Sequence, residues 1–315
     1  MLAAAPISQL PGGPWLVAPL VSASSPHLSL RRVTLALQPT PEEVSYAVRA
    51  EWSEFVAGKR RLIGLEKTVG LRLIQSEAAW QLALRASAPV LHKPDRTAFD
   101  ELGLRLADLY ADLVLALAPT GEPRALVNHA AVRARWAHLR QELTSRYPVP
   151  SEVVATLVAG VDRQLVRSAG LAPSLSYDYL YAALPGGFYG QPFATDCQYT
   201  RAKTFPQFFD GLDLHFAETL RLADADPSGQ VVLRLRGTLD AAATDVAAVA
   251  ERLRGRLGQQ GAVVPADVLF SYEATHAFGP GTGLPAEVRL TVRCTYQNLY
   301  RKEYHLAITS ILPTT

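Results

Sequence analysis

Residues 268–278 and 287–296 alternate apolar and polar side chains on either side of a glycine-rich break, FGPGTGLP at 278–285. No other feature of the chain constrains its fold as strongly. Val268, Phe270, Tyr272, Ala274, His276 and Phe278 alternate with Leu269, Ser271, Glu273, Thr275 and Ala277. After the break, Val288, Leu290, Val292, Cys294 and Tyr296 alternate with Glu287, Arg289, Thr291, Arg293 and Thr295. Successive side chains of a strand point to opposite faces, so a period of two sets one series against a core and the other in water. Two such runs joined by a short loop read as a β-hairpin, whose glycines supply the positive φ the loop needs. The same stretch fails as a phosphate loop, which requires G-x-x-x-x-G-K-[ST] between a strand and a helix. Leu284 stands five positions after Gly279, no lysine occurs in the stretch, and strand follows it.

The same texture recurs elsewhere. Val33, Leu35 and Leu37 alternate with polar neighbours, and Val44, Tyr46, Val48 and Ala50 do so after a PTPEE turn. Runs 68–74 and 80–86 extend this meander, while Leu212, Leu214 and Phe216, then Val231, Leu233 and Leu235, repeat it near the C-terminus. Helical spacing interrupts the strands. Thr97 reads as an N-cap with Asp100 and Glu101 in the first turn, ahead of Leu102, Leu106, Leu109 and Leu113. LVLALAPTGEPRALVN reads as a hairpin about Pro-Thr-Gly, and Asn128 as the cap of a helix with the stripe Val132, Trp136, Leu139 and Leu143. Ser151 is expected to cap a helix carrying Val154, Val158, Val161 and Leu165, and a further helix is expected over 244–257.

This pattern predicts an α+β fold of mostly antiparallel curved sheets with helices packed on one face, arranged as two similar halves. The boundaries it suggests are an irregular Pro/Gly/Ser-rich leader (1–28), a meander-and-helix half (29–148), a helical and aromatic connector (149–192) and a C-terminal antiparallel sheet with one helix (193–315).

Composition narrows the function classes. Apolar residues make up 49% and charged residues 19%, which is a globular rather than a disordered balance. A net charge of +2 gives no whole-molecule field toward nucleic acid, so no nucleic-acid partner is expected. The 26 arginines against 5 lysines read as the imprint of a GC-rich, bacterial genome. Cys197 and Cys294 form no C-x-x-C or Cys/His pair and read as small apolar strand residues; no metal and no cofactor is expected. The N-terminal residues lack a basic segment and are broken by Pro6, Pro11 and Pro14, and no apolar run reaches the length of a membrane span. Together these predict a cytoplasmic chain.

No catalytic motif of the nucleophile-elbow, zincin or dinucleotide type is present, so no catalytic residue is assigned. His276 falls on an apolar face, with its nearest acid in sequence, Glu273, on the other. Glu303 with His305, and Asp213 with His215, share faces as pairs without a third ligand and read as solvated strand positions. Asp224-Ala-Asp-Pro-Ser-Gly imitates the start of a calcium loop, but Leu235 stands where the bidentate glutamate belongs. Arg133, Arg135 and Arg140, and Arg252, Arg254 and Arg256, form two helical arginine groups that read as solvated faces or, alternatively, as surfaces for an acidic partner or a phosphate. The aromatic segment Tyr177, Tyr179, Tyr181, Phe188 and Tyr189 is the candidate binding surface, with packing at the seam of the halves as its alternative. These readings favour a non-enzymatic binding or scaffold module for a protein or polymer partner. A carrier of an apolar ligand in a sheet-and-helix pocket, and an enzyme with a dispersed, hydrolytic site, are the other classes.

Overall fold

The computed structural model describes residues 15–19, 31–76, 79–146, 152–171, 175, 179–184, 187–225, 230–258, 263–279 and 283–311. The N-terminal part holds strands β1 (Leu16–Pro19), β2 (Arg32–Thr34), β3 (Val44–Val56), β4 (Lys59–Gln75), β5 (Trp80–Ala86) and β6 (Val90–His92). Helix α1 (Ala98–Ala107), strands β7 (Asp112–Leu117) and β8 (Pro123–Leu126), and helices α2 (His129–Arg146), α3 (Glu152–Gln164) and α4 (Tyr179–Ala183) follow. The remainder is β9 (Pro192–Ala194), β10 (Cys197–Phe209), β11 (Leu212–Ala225), β12 (Val231–Leu239), α5 (Val246–Arg256), β13 (Val268–Phe278), β14 (Pro285–Tyr296) and β15 (Tyr300–Ile311). The fold is α+β and mostly antiparallel sheet. No helix among the described residues is long and apolar enough to cross a membrane.

Among the described residues, thirteen strands form one sheet in the order β1-β10-β11-β12-β13-β14-β15-β3-β4-β5-β7-β8, with β6 also on β4. The hairpin read at 268–296 is β13–β14, paired from Val268↔Tyr296 to Phe278↔Pro285; residues 280–282 of its loop lie outside the described residues. Its buried series is the expected one: Val268, Tyr272, Ala274, His276 and Phe278 on β13, and Val288, Leu290, Val292, Cys294 and Tyr296 on β14. The junction that makes one sheet is β15 on β3, in continuous register from Tyr300↔Val56 to Ile311↔Ser45. β3 turns into β4 through Ala57 (φ 46°) and Gly58 (φ 89°), a two-residue loop with both φ positive that matches the twist of its strands.

Several local readings are corrected. The alternation over 33–37 yields only the short β2, which pairs with β9 in a separate two-stranded sheet. Thr97 does cap α1, in a capping box with Asp100. Asn128 does something else: its side chain accepts from Val114 N (2.9 Å) and donates to Asp112 O (3.2 Å), stitching the start of α2 to β7. α5 is capped by Asp245, which accepts from Ala248 N, whereas the Thr244 hydroxyl accepts from His215 N at 2.9 Å. Leu113 has left α1 and is fully buried in β7. Ser151, expected as the cap of α3, lies outside the described residues.

Candidate functional site: a buried polar row and a helical cleft

Cross-strand register sets four residues in one transverse row on the buried face: Arg201 opposite Glu218, Glu218 opposite Gly237, and Gly237 opposite Tyr272. Gly237 is what lets the row close. A Cβ there would stand 2.7 Å from Tyr272 Cδ1 and 2.9 Å from Phe216 Cδ1, so only a bare backbone lets the Tyr272 ring lie over it. The Tyr272 hydroxyl then donates to Glu218 Oε1 at 2.6 Å, while Arg201 Nε donates to Oε2 at 2.6 Å. Glu218 is fully buried and the Arg201 side chain is 7% exposed. Burial alone would raise the Glu218 pKa, but Arg201, Lys203 and the Tyr272 hydrogen bond hold it below the usual carboxylate value.

Two more polar groups face this row. Lys203 is half-buried, and burial draws its ammonium down to about 8. His276 is 3% exposed and burial holds it neutral, down to about 3; its Nδ1 has no partner among the described residues. Together with Phe188, Phe205 and other apolar neighbours, these side chains line a cavity of about 10 Å³. That is room for a single water. The row can therefore orient a water or hold a proton in that space.

The aromatic segment roofs this cluster. The Phe188 ring meets the His276 ring edge-on at 4.7 Å and Trp15 at 6.2 Å, and the Arg201 guanidinium lies 4.1 Å from the centre of the Trp15 ring. Tyr189 packs on Phe278. Trp15 Nε1 donates to Gly187 O, and Gly187 (φ 68°) fits between Arg201 Nη1 and Glu122 Oε1, where a Cβ would come within 3.0 and 3.1 Å. Tyr181, Phe188 and Tyr189 are each at most 3% exposed. Tyr177 lies outside the described residues, and Tyr179 opens α4. Of the five aromatic candidates, the structure thus brings Phe188 to the polar cluster and Tyr189 to its margin. Arg201, Lys203, Glu218 and Gly237 were not signalled by the sequence, because only the pairing register of β10, β11, β12 and β13 sets them side by side.

The acid–histidine pairs are committed to neighbours. Asp213 accepts from Gln207 N, at a bulge where Gln207 has φ 54°, and His215 Nδ1 sits 3.0 Å from Thr204 Oγ1. Glu303 is buried among Ser53, Arg293, Arg301 and His305. Its burial, which raises the pKa, is outweighed by Arg293, Arg301 and His305, so the carboxyl stays below its usual value. No group of three or more His, Cys, Asp or Glu poised for a metal occurs among the described residues. Asp224 and Ala225 end β11, and 226–229 of the calcium-like turn lie outside the described residues. Cys294 is fully buried, its thiol pushed up to about 12 by that burial.

The two arginine groups differ. Arg256 grips Asp210 through Nε and Nη2 at 2.7 and 2.6 Å and reaches Glu54 at 3.0 Å; Arg252 donates to Asp210 O, and Arg254 pairs with Glu251. Through Arg252 and Arg256 that group fastens α5 to the sheet. On α2, Arg135 donates to Leu109 O and Asp112 O, but Arg133 and Arg140 stand exposed on the wall of a cleft of about 310 Å³ against α3. Trp136, Ala137, Asp162, Leu165 and Val166 complete the lining. Trp136 Nε1 donates to Asp162 Oδ1 at 2.7 Å, Arg140 approaches Oδ2 at 3.4 Å, and His129 Nε2 lies 2.9 Å from Leu165 O, so the two helices are tied across the cleft. Val166, at its edge, is 68% exposed.

No protein-family model matches this chain, and a search of curated proteins finds no match.

Proposed function

We propose that this chain is a non-catalytic binding module for a protein or polymer partner, and that it takes that partner in the α2–α3 cleft. The observation that carries the reading is the make-up of the cleft. An apolar floor and rim of Trp136, Leu165 and Val166 stand beside two exposed guanidiniums, in a volume of about 310 Å³. Recognition sites combine apolar contact area with a few placed polar groups in this way. The polar row around Glu218 supports the same reading indirectly, since its groups converge on a void of about 10 Å³ beneath packed rings. On this view Tyr181, Phe188 and Tyr189 serve as the packed seam, and the recognition surface is helical.

Ala137 lines the cleft and is exposed, so Ala137→Trp fills it without disturbing the core. Immobilised wild-type and Ala137→Trp proteins with matching thermal melts would be challenged with native lysate. A partner retained by the first and lost by the second supports the assignment. Equal retention by both overturns it.

A further inference from the structure

We propose that the partner's docking element is an acidic peptide segment bearing an apolar side chain, its carboxylates meeting Arg133 and Arg140 and its apolar group resting on Trp136, Leu165 and Val166. This deepens the binding reading and rests on it.

Charge is the first argument. Residues 129–170 carry six arginines (133, 135, 140, 146, 163 and 167) against Glu142, Glu152 and Asp162, a net of +3. The whole chain nets +2, so everything outside the helical pair nets one negative charge. The helical pair is therefore a positively charged segment of the chain.

Within the cleft, its one acid is already engaged. Asp162 takes the Trp136 indole N–H on one oxygen and faces Arg140 with the other. Arg133 makes no ion pair or hydrogen bond among the described residues, and Arg140 keeps a donor edge toward solvent at 53% side-chain exposure. Guanidiniums present a planar fork suited to carboxylates.

The apolar half decides between classes of anion. A phosphate backbone would leave uncovered both Val166, 68% exposed, and the small parts of Trp136 and Leu165, otherwise buried in the core, that line the cleft. An acidic segment with one leucine-like side chain covers them, and the volume suits about two side chains.

The test uses the full chain and fluorescent short peptides built on Glu–Leu, Ser–Leu, Lys–Leu and Glu–Ser repeats, read by anisotropy at low and raised salt, with single-stranded DNA as a further probe. Glu–Leu should bind roughly tenfold more tightly than Ser–Leu, the scale of two rim ion pairs, and lose that margin in salt. It should also exceed Glu–Ser. Arg133→Glu, at an exposed position, should invert the preference toward Lys–Leu, and Ala137→Trp should remove binding of both. If Ser–Leu binds as well as Glu–Leu and Ala137→Trp still abolishes it, the acidic assignment falls while the cleft reading survives. Peptide binding untouched by Ala137→Trp overturns both. DNA binding tighter than Glu–Leu, or no peptide binding at all, overturns the acidic-peptide inference.

Discussion

A single missing side chain organises the interior. Gly237 leaves the gap through which Tyr272 reaches Glu218, so Gly237→Ala forces either the Tyr272 or the Phe216 ring to move. Overpacking of this kind costs about 2 kcal/mol. The expected result in urea unfolding is a lower midpoint with an unchanged slope. Glu218→Gln should be worse, because it removes the buried carboxylate that both Arg201 Nε and the Tyr272 hydroxyl bond; a loss of about 3 kcal/mol is expected. The double variant Arg201→Met, Glu218→Leu should recover part of that loss, since burying neither charge is better than burying one. A double variant no more stable than Glu218→Gln would contradict the account.

At the scale of elements, legibility tracked how local the cause was. The β13–β14 hairpin was readable because side-chain alternation is a property of the strand itself. The α1 cap was readable because Thr97 and Asp100 bond each other within one turn. Asn128 misled because it has good capping chemistry yet bonds strand backbone at Val114 and Asp112; Thr244, where the helix over 244–257 was expected to begin, bonds His215 instead. Asp245, one residue on from Thr244, supplies the cap of α5. Asp245→Ala should therefore destabilise the protein by about 1 kcal/mol, measurable as a shift in urea midpoint. The α2–α3 cleft was half legible: the stripe holding Trp136 and the arginines beside it could be read, but not that Arg135 turns to Leu109 and Asp112 while Arg133 and Arg140 remain on the wall.

For the whole molecule, one continuous sheet makes stability a collective property. Because β15 lies on β3 along twelve residue pairs, the N- and C-terminal strands should melt together, giving one calorimetric transition whose van't Hoff and measured enthalpies agree. Two resolved transitions would argue against that coupling. Stability should also vary with pH in a defined way. His276 is held at about 3 in the fold against about 6.5 unfolded, so below about 6.5 the unfolded chain takes up a proton that the folded one refuses. Stability falls there with acidification, a fall to which the lowered carboxyls of Glu218 and Glu303 add at lower pH. Lys203 sits at about 8 against 10.5, and Lys302 is lowered too. Between about 8 and 10 the unfolded state holds more protons, and stability rises with pH. Above about 10 the buried Tyr46, Tyr189, Tyr272 and Tyr300, raised by burial, reverse the slope because only the unfolded chain ionises. Urea midpoints across pH should trace this course, and Lys203→Met should flatten the rise between 8 and 10.

What the amino-acid order determined by itself is the alternation of strands such as β3, β5 and β11 to β14, with the face each buries, together with the helical stripes, because backbone geometry ties side-chain direction to sequence spacing within a few residues. Which strands became neighbours was decided only in three dimensions. The β15–β3 junction, the row running from Arg201 through Glu218 and Gly237 to Tyr272, and the cleft between α2 and α3 each join residues whose separation along the chain carries no signal of contact. They arise from hydrogen-bond register and from packing, which reward a partner wherever in the chain it lies.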